Sequence, residues 1–162
     1  MLTRDQNNTF SCTEISPPSS LKRLYSQSMC LVNSKFVYVT GGALPNSVSN
    51  CRRYDTDRNL WQEIQSMNQV RREHSSCQLG GHIYVFGGFY SETGKDYWPV
   101  EKLPIADDPN IQAQKQWEVI PDLTALPDLF KRFSIPLNAN EIVILGGYEE
   151  KVFLYDCRTD SC

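Results

Sequence analysis

Phe36-Val37-Tyr38-Val39-Thr40-Gly41-Gly42 returns in outline as His82-Ile83-Tyr84-Val85-Phe86-Gly87-Gly88 and as Glu141-Ile142-Val143-Ile144-Leu145-Gly146-Gly147. Each stretch is rich in β-branched and aromatic residues and closes on two glycines, the mark of a strand running into a turn. The three glycine pairs recur at a pitch that brackets about 50 residues, as expected of a chain assembled from repeated supersecondary units.

Working outward, an apolar stretch precedes each run: Met29 to Val32, Ser75 to Leu79, and Ser134 to Leu137. Links as short as Asn33-Ser34-Lys35 and Gly80-Gly81 join the two, a length that suits tight hairpins. Downstream of the first pair come Cys51-Arg52-Arg53-Tyr54-Asp55, a turn over Thr56 to Asn59, and Leu60-Trp61-Gln62-Glu63-Ile64. The third repeat echoes this with Val152-Phe153-Leu154-Tyr155-Asp156. In the second, Val100 to Leu103 supplies the third strand, and a polar insert over 106–115 precedes Trp117-Glu118-Val119-Ile120. Each unit therefore reads as four antiparallel strands, a to d. The units span 22–67, 68–123 with the insert between c and d, and an incomplete 124–162. Residues 1–21 form an N-terminal segment with an orphan strand d over about 10–15, in which Phe10 stands for the Trp, and residues 1–9 fray.

Gly pair, Tyr-Asp and Trp in that order resemble the kelch repeat, from about residue 22 onward. The match is best between Met67 and Gly88, where Arg71 and His74 stand at positions that often carry Arg and His in the family. Tyr25 and Ser28 take those places in the first repeat, and Phe130 and Phe133 in the third. The resemblance implies an all-β fold: a kelch-type β-propeller fragment of four-stranded antiparallel blades, two complete and the others partial. Its structural signature here is Gly41, Gly42, Tyr54, Trp61, Gly87, Gly88, Trp117, Gly146, Gly147 and Tyr155. Glycines let the backbone reach φ > 0 and let a neighbouring chain pass closely, and the rings fill space between blades.

The totals agree with such a fold. The chain has 162 residues, 40% hydrophobic and 22% charged, with a net charge of −3, which gives no electrostatic pull on nucleic acid or anionic membrane. Six cysteines include no C-x-x-C pair, so no metal site and no cofactor are expected. The polar start, Met1 to Thr9, has no apolar signal region, and no apolar run approaches the about 18 residues of a membrane span. These features read as a reduced, soluble, cytoplasmic protein.

Propellers close with about four to eight blades, so the plain expectation is a fragment of a longer chain. The sharper alternative is a homodimer in which each N-terminal strand d completes the partner's last blade, closing a six-bladed ring. Strand parity puts the b–c loops and d–a links on one face, which becomes the candidate surface for a protein partner. Arg71, Arg72, Phe89, Tyr90, Glu92, Tyr148 and Glu149 lie there, of types that dominate binding hot spots; the family position of Arg71 also fits a residue satisfied within the blade. Arg52 and Arg53 read as outer-surface charges, and the insert as a second epitope or a tolerated loop.

Function follows as a class: a non-catalytic protein–protein interaction module. The resemblance implies substrate recognition for a ubiquitin ligase, which needs a BTB–BACK region from a longer chain, or a cytoskeletal or signalling scaffold. The rival readings are an enzyme resembling galactose oxidase or a sugar-acid epimerase, and a truncated fragment with no independent function. His74 and His82 flank one hairpin and do not converge with a Tyr as copper would require. His74 and Cys77 point to opposite sides of one strand, which disfavours a nucleophile pair, so no catalytic residue is assigned.

Overall fold

A computed structural model describes residues 2–4, 10–12, 15–18, 23–89, 99–120, 132–146 and 152–161. Three antiparallel sheets follow one another along the chain. The first is β3 (Ser28–Val32), β4 (Phe36–Thr40), β5 (Cys51–Asp55) and β6 (Leu60–Ile64). The second is β7 (Ser75–Leu79), β8 (His82–Phe86), β9 (Val100–Pro104) and β10 (Glu118–Ile120), with helix α1 (Pro109–Gln114) between its last two strands. The third holds β11 (Arg132–Pro136), β12 (Glu141–Gly146) and β13 (Val152–Asp156). In each, sequential strands pair as neighbours, so the sheets are the blades of a partial propeller: two of four strands and a third of three.

Because side chains alternate along a strand, each sheet has two faces, and both faces of the middle sheet are covered. Cys30, Val32, Tyr38, Cys51 and Ile64 of the first sheet pack against Ile83, Val85, Leu103 and Trp117 of the second. Cys77, Leu79, Tyr84, Phe86, Val100 and Ile120, on the other face of the second sheet, pack against Ile142, Ile144 and Tyr155 of the third. Each junction thus joins the forward face of one sheet to the rear face of the next. Trp117 ties the first junction down by donating its indole N–H to the Gln65 carbonyl at 2.8 Å. The indole N–H of Trp61 has no acceptor among the described residues.

The glycine pairs are required where they stand. Gly41 has φ +56, and a Cβ there would be driven into the Arg71 carbonyl and the His74 ring. At Gly88, φ is +108 and a Cβ would lie 2.9 Å from the Arg72 carbonyl oxygen. Gly147 lies outside the described residues.

Several expectations need correction. Ser28, Ser75 and Phe133 pair with Thr40, Phe86 and Leu145, each one residue before a first glycine, so these three are equivalent. Ser28 and Phe133 therefore match Ser75 rather than His74, and Tyr25 matches Arg72 rather than Arg71. The shift arises because the a–b link has two residues in the second repeat (Gly80-Gly81) and three in the others (Asn33-Ser34-Lys35 and Asn138-Ala139-Asn140). Phe130 lies outside the described residues. At the N-terminus, residues 2–4 do not fray: β1 (Leu2–Arg4) pairs with β2 (Phe10–Cys12) in a sheet of their own.

Arg52 and Arg53 are buried, not outer-surface charges. Arg52 bonds Glu63 across the sheet at 3.1 Å. Arg53 lies over the Phe36 ring, 4.4 Å from its centroid, and donates to the Ala106 and Asp107 carbonyls at 2.7 and 3.1 Å. The insert it reaches is no loose loop. Asp108 caps α1 by accepting from the Asn110 and Ile111 amides, with Pro109 in the first turn, a strong helix start. Gln112 is fully buried. It accepts from Tyr38 Oη at 3.1 Å and the Ala106 amide at 2.6 Å, and donates to the Pro104 carbonyl at 3.3 Å. Gln112→Ala strands a buried hydroxyl and a buried amide, so urea unfolding should show a loss of about 2–4 kcal/mol.

Candidate functional site: a loop rim joining two blades

Backbone hydrogen bonds stitch the b–c loops and d–a links of the first two blades into one rim. Tyr25 and Ala43 exchange bonds at 3.2 and 2.9 Å, and in the equivalent place Arg72 and Phe89 exchange bonds at 3.2 and 2.8 Å. Ser47 Oγ donates to the Phe89 carbonyl at 3.1 Å, joining one loop to the next. The Gly42 amide donates to the Arg71 carbonyl at 2.9 Å, and the Arg71 amide to the Val48 carbonyl at 3.1 Å. A rim held through its backbone presents its side chains in fixed positions.

Neighbouring residues of the extended d–a link point opposite ways, which separates the two arginines. Arg71 turns inward and has no exposed surface, so it is withdrawn from the proposed contact surface. Its Nη2 meets Glu101 Oε1 at 2.6 Å and the Pro99 carbonyl at 3.1 Å, while Nη1 donates to the Gly87 carbonyl at 2.9 Å. Glu101, equally buried, also accepts from the Asn68 and Gln69 amides at 2.7 and 3.2 Å. Desolvation pulls the guanidinium below its ordinary value, and Glu101 opposes that pull. Arg72 turns outward, half-buried, and lies over the Phe89 ring at 4.7 Å from the centroid. Tyr90, Glu92, Tyr148 and Glu149 lie outside the described residues.

Tyr25 and Leu44 share this rim and are exposed, with Tyr25 Oη donating to the Pro45 carbonyl at 3.2 Å. Sequence reasoning passed over both as contact residues. Counting register from the hairpin instead of from the glycines would have aligned Tyr25 with Arg72.

Below the rim lie the groups that reactive chemistry would need. His74 is buried and shares a hydrogen bond of 2.8 Å with Thr40 Oγ1. Burial, and then the Arg71 charge, lower its pKa to about 3, so it is neutral at pH 7. Burial likewise pushes the thiols of Cys30, Cys51 and Cys77 up to about 12, which keeps them protonated and poor as nucleophiles or ligands. Among the described residues, no three His, Cys, Asp or Glu side chains are grouped to hold a metal ion. No described helix is long and apolar enough to cross a membrane.

Sheets joined forward face to rear face, with loops gathered on a shared rim, define a partial β-propeller built from repeated blades. Known proteins give the particular repeat. The chain is 40% identical over 57 residues to Kelch-like protein 21 of Danio rerio, a match covering 35% of this chain and 9% of that protein. It is 38% identical over 72 residues to Kelch-like protein 22 of Homo sapiens, covering 41% and 11%. Against Kelch-like protein 23 of Homo sapiens it is 31% identical over 87 residues, covering 54% and 14%. The matched stretches thus span only 9 to 14% of these relatives' length. No protein-family model matches the chain. With the blade topology, these similarities support the resemblance of the repeats to those of the kelch-repeat family.

Two stability outcomes follow from the buried groups. Arg71→Ala leaves Glu101 as an unpaired buried charge, and urea unfolding should register a loss of about 3–5 kcal/mol. His74 stays neutral in the native state while the unfolded chain takes a proton below the ordinary histidine value of 6.5. Its contribution is therefore complete above pH 6.5 and is lost as pH falls towards 3. Between pH 7 and 5, above the carboxylate range, stability should fall with a slope approaching about 1.4 kcal/mol per pH unit, and His74→Gln should flatten that slope.

Proposed function

We propose that this chain is a non-catalytic kelch module that holds a protein partner on the rim of b–c loops and d–a links. The observation that carries the reading is the Arg72–Phe89 pair, a guanidinium stacked on a ring and fixed by two backbone hydrogen bonds. Arg and aromatic side chains lose little conformational freedom when already held, and they dominate binding energy at protein interfaces. Tyr25 and Leu44 extend the rim on one side. Tyr90, Glu92, Tyr148 and Glu149 complete the proposed surface from their sequence positions. The low pKa of His74 and the raised pKa values of the three thiols favour binding over catalysis.

Within a longer chain, such a module serves to recognise substrates for a ubiquitin ligase or to scaffold cytoskeletal or signalling proteins, and we place it in the cytoplasm. Assembly of two copies into a six-bladed ring is part of the same proposal. The test is quantitative cross-linking of the chain to its partners in cell extract. Arg72→Ala and Tyr25→Ala should each cut capture of a defined protein by about tenfold with an unchanged melting midpoint. Asn110→Ala, on exposed α1 away from the rim, should leave capture intact. Undiminished capture by the rim variants would reject this surface.

A further inference from the structure

Both junctions within the chain pair a forward face with a rear face, and the first strands of the sheets show what meets there. At the first, Ser28, Cys30 and Val32 of β3 face Ser76 and Gln78 of β7, with Ser28 Oγ and Ser76 Oγ 2.7 Å apart. At the second, Ser75, Cys77 and Leu79 of β7 take the forward positions and Ser134 and Pro136 of β11 the rear ones. Ser75 and Ser134 line a crevice that Ser28, Met29, Ser76 and Phe133 also reach, and neither hydroxyl has a hydrogen-bond partner among the described residues.

Two faces remain without a mate among the described sheets: the forward face of the third and the rear face of the first. At the positions of Ser28, Cys30 and Val32, the forward face carries Phe133, Ile135 and Leu137, exposed by 73%, 54% and 59%. At the positions of Ser76 and Gln78, the rear face carries Met29 and Leu31, exposed by 68% and 58%. Where the internal junctions carry serine at the matching positions, Ser28 with Ser76 in contact and Ser75 with Ser134 in equivalent register, these faces hold Phe133 on one and Met29 on the other. Strand c changes in the same sense. Arg53 and Lys102 reach across their junctions, to the Ala106 and Asp107 carbonyls and to Asp160, but the third sheet has exposed Leu154 in their place. A shift from polar to apolar, matched at positions that touch in a forward-to-rear junction, marks complementary surfaces. Apolar side chains grouped at this exposure mark association sites.

We propose that Phe133, Ile135 and Leu137 of one copy pack against Met29 and Leu31 of a second copy, continuing the forward-to-rear junction between chains. This rests on the two-copy assembly named above but uses sheet faces rather than an exchanged N-terminal strand. Each copy carries one face of each kind, so the contact is heterologous, and two copies close on each other.

The experiment is light scattering on the full chain from about 5 to about 200 µM, within the range of modest self-association. The wild-type chain should move to twice its mass as concentration rises. Met29→Lys alone and Phe133→Glu alone should each weaken association at least about tenfold, because every junction then carries a charge in an apolar contact. Both positions are exposed, so circular dichroism and the melting midpoint should not change. Mixing the two variants should restore the double mass. The mixture retains one unaltered junction, and at the other the introduced ammonium meets the introduced carboxylate. Arg72→Ala should associate like wild type, which separates this proposal from the partner rim. A chain that stays monomeric at the highest concentration overturns the proposal and leaves both faces to sheets from another protein. Association that survives both variants, or a mixture that stays monomeric, overturns it equally.

Discussion

The guanidinium of Arg71 and the carboxylate of Glu101 meet with no exposed surface on either side chain, and the connection between the first two blades is built around them. Two buried charges are tolerated only when their remaining hydrogen-bonding sites are filled. Here the Gly87 and Pro99 carbonyls each accept from the guanidinium, the Asn68 and Gln69 amides donate to the two carboxylate oxygens, and Arg71 Nε alone of the three guanidinium nitrogens has no partner among the described residues. These partners come from the end of β8, the approach to β9 and the d–a link, so satisfying the pair fixes three segments together. The Arg71 carbonyl then receives the Gly42 amide, drawing in the loop of the preceding blade. Close approach at that point leaves no room for a Cβ at Gly41. The rim that displays Arg72 is held by the neighbour that does not reach the surface.

Around this centre, the blades differ in how their outer parts are secured. In the first, Tyr54 donates to Asn59 Oδ1 at 2.6 Å and packs on Trp61 at 5.1 Å between ring centroids. In the third, Tyr155 donates to Asp160 Oδ1 at 2.5 Å, in the equivalent turn. The second blade has Leu103 at that place and a long connection instead of a tight turn. Its helix replaces the tyrosine clasp with Gln112, which serves a tyrosine of the neighbouring blade.

The sheets were legible because glycine pairs and β-branched runs report a local property, the passage from strand to turn. Strand order followed from the short links between them. What the sequence did not reveal was direction: whether a given side chain on a known strand or link meets solvent or another blade. Arg52 and Arg53 look like surface charges until the neighbouring blade supplies carbonyls for Arg53 and Glu63 pairs with Arg52 across the sheet. Adjacent Arg71 and Arg72 differ only in which side of the link each occupies. Helix α1 was readable in principle, since Asp108-Pro109 is a recognised helix start, but a run of polar residues after a strand invites the reading of a loop. Register counted back from the glycines is off by one in the second repeat, because its a–b link is one residue shorter than the others.

Helix α1 also bears on the order in which the protein takes shape during synthesis. Tyr38 belongs to the second strand of the first blade, yet the amide oxygen that receives its hydroxyl lies 74 residues further along. When the first blade has left the ribosome, that hydroxyl and the underside of the blade are still open to water. The forward face of the nascent blade stays wet until the second sheet and its helix emerge and cover it. The maturing unit is thus a pair of blades rather than a single one, and a pause in translation before Gln112 would leave the first blade waiting in a half-closed form.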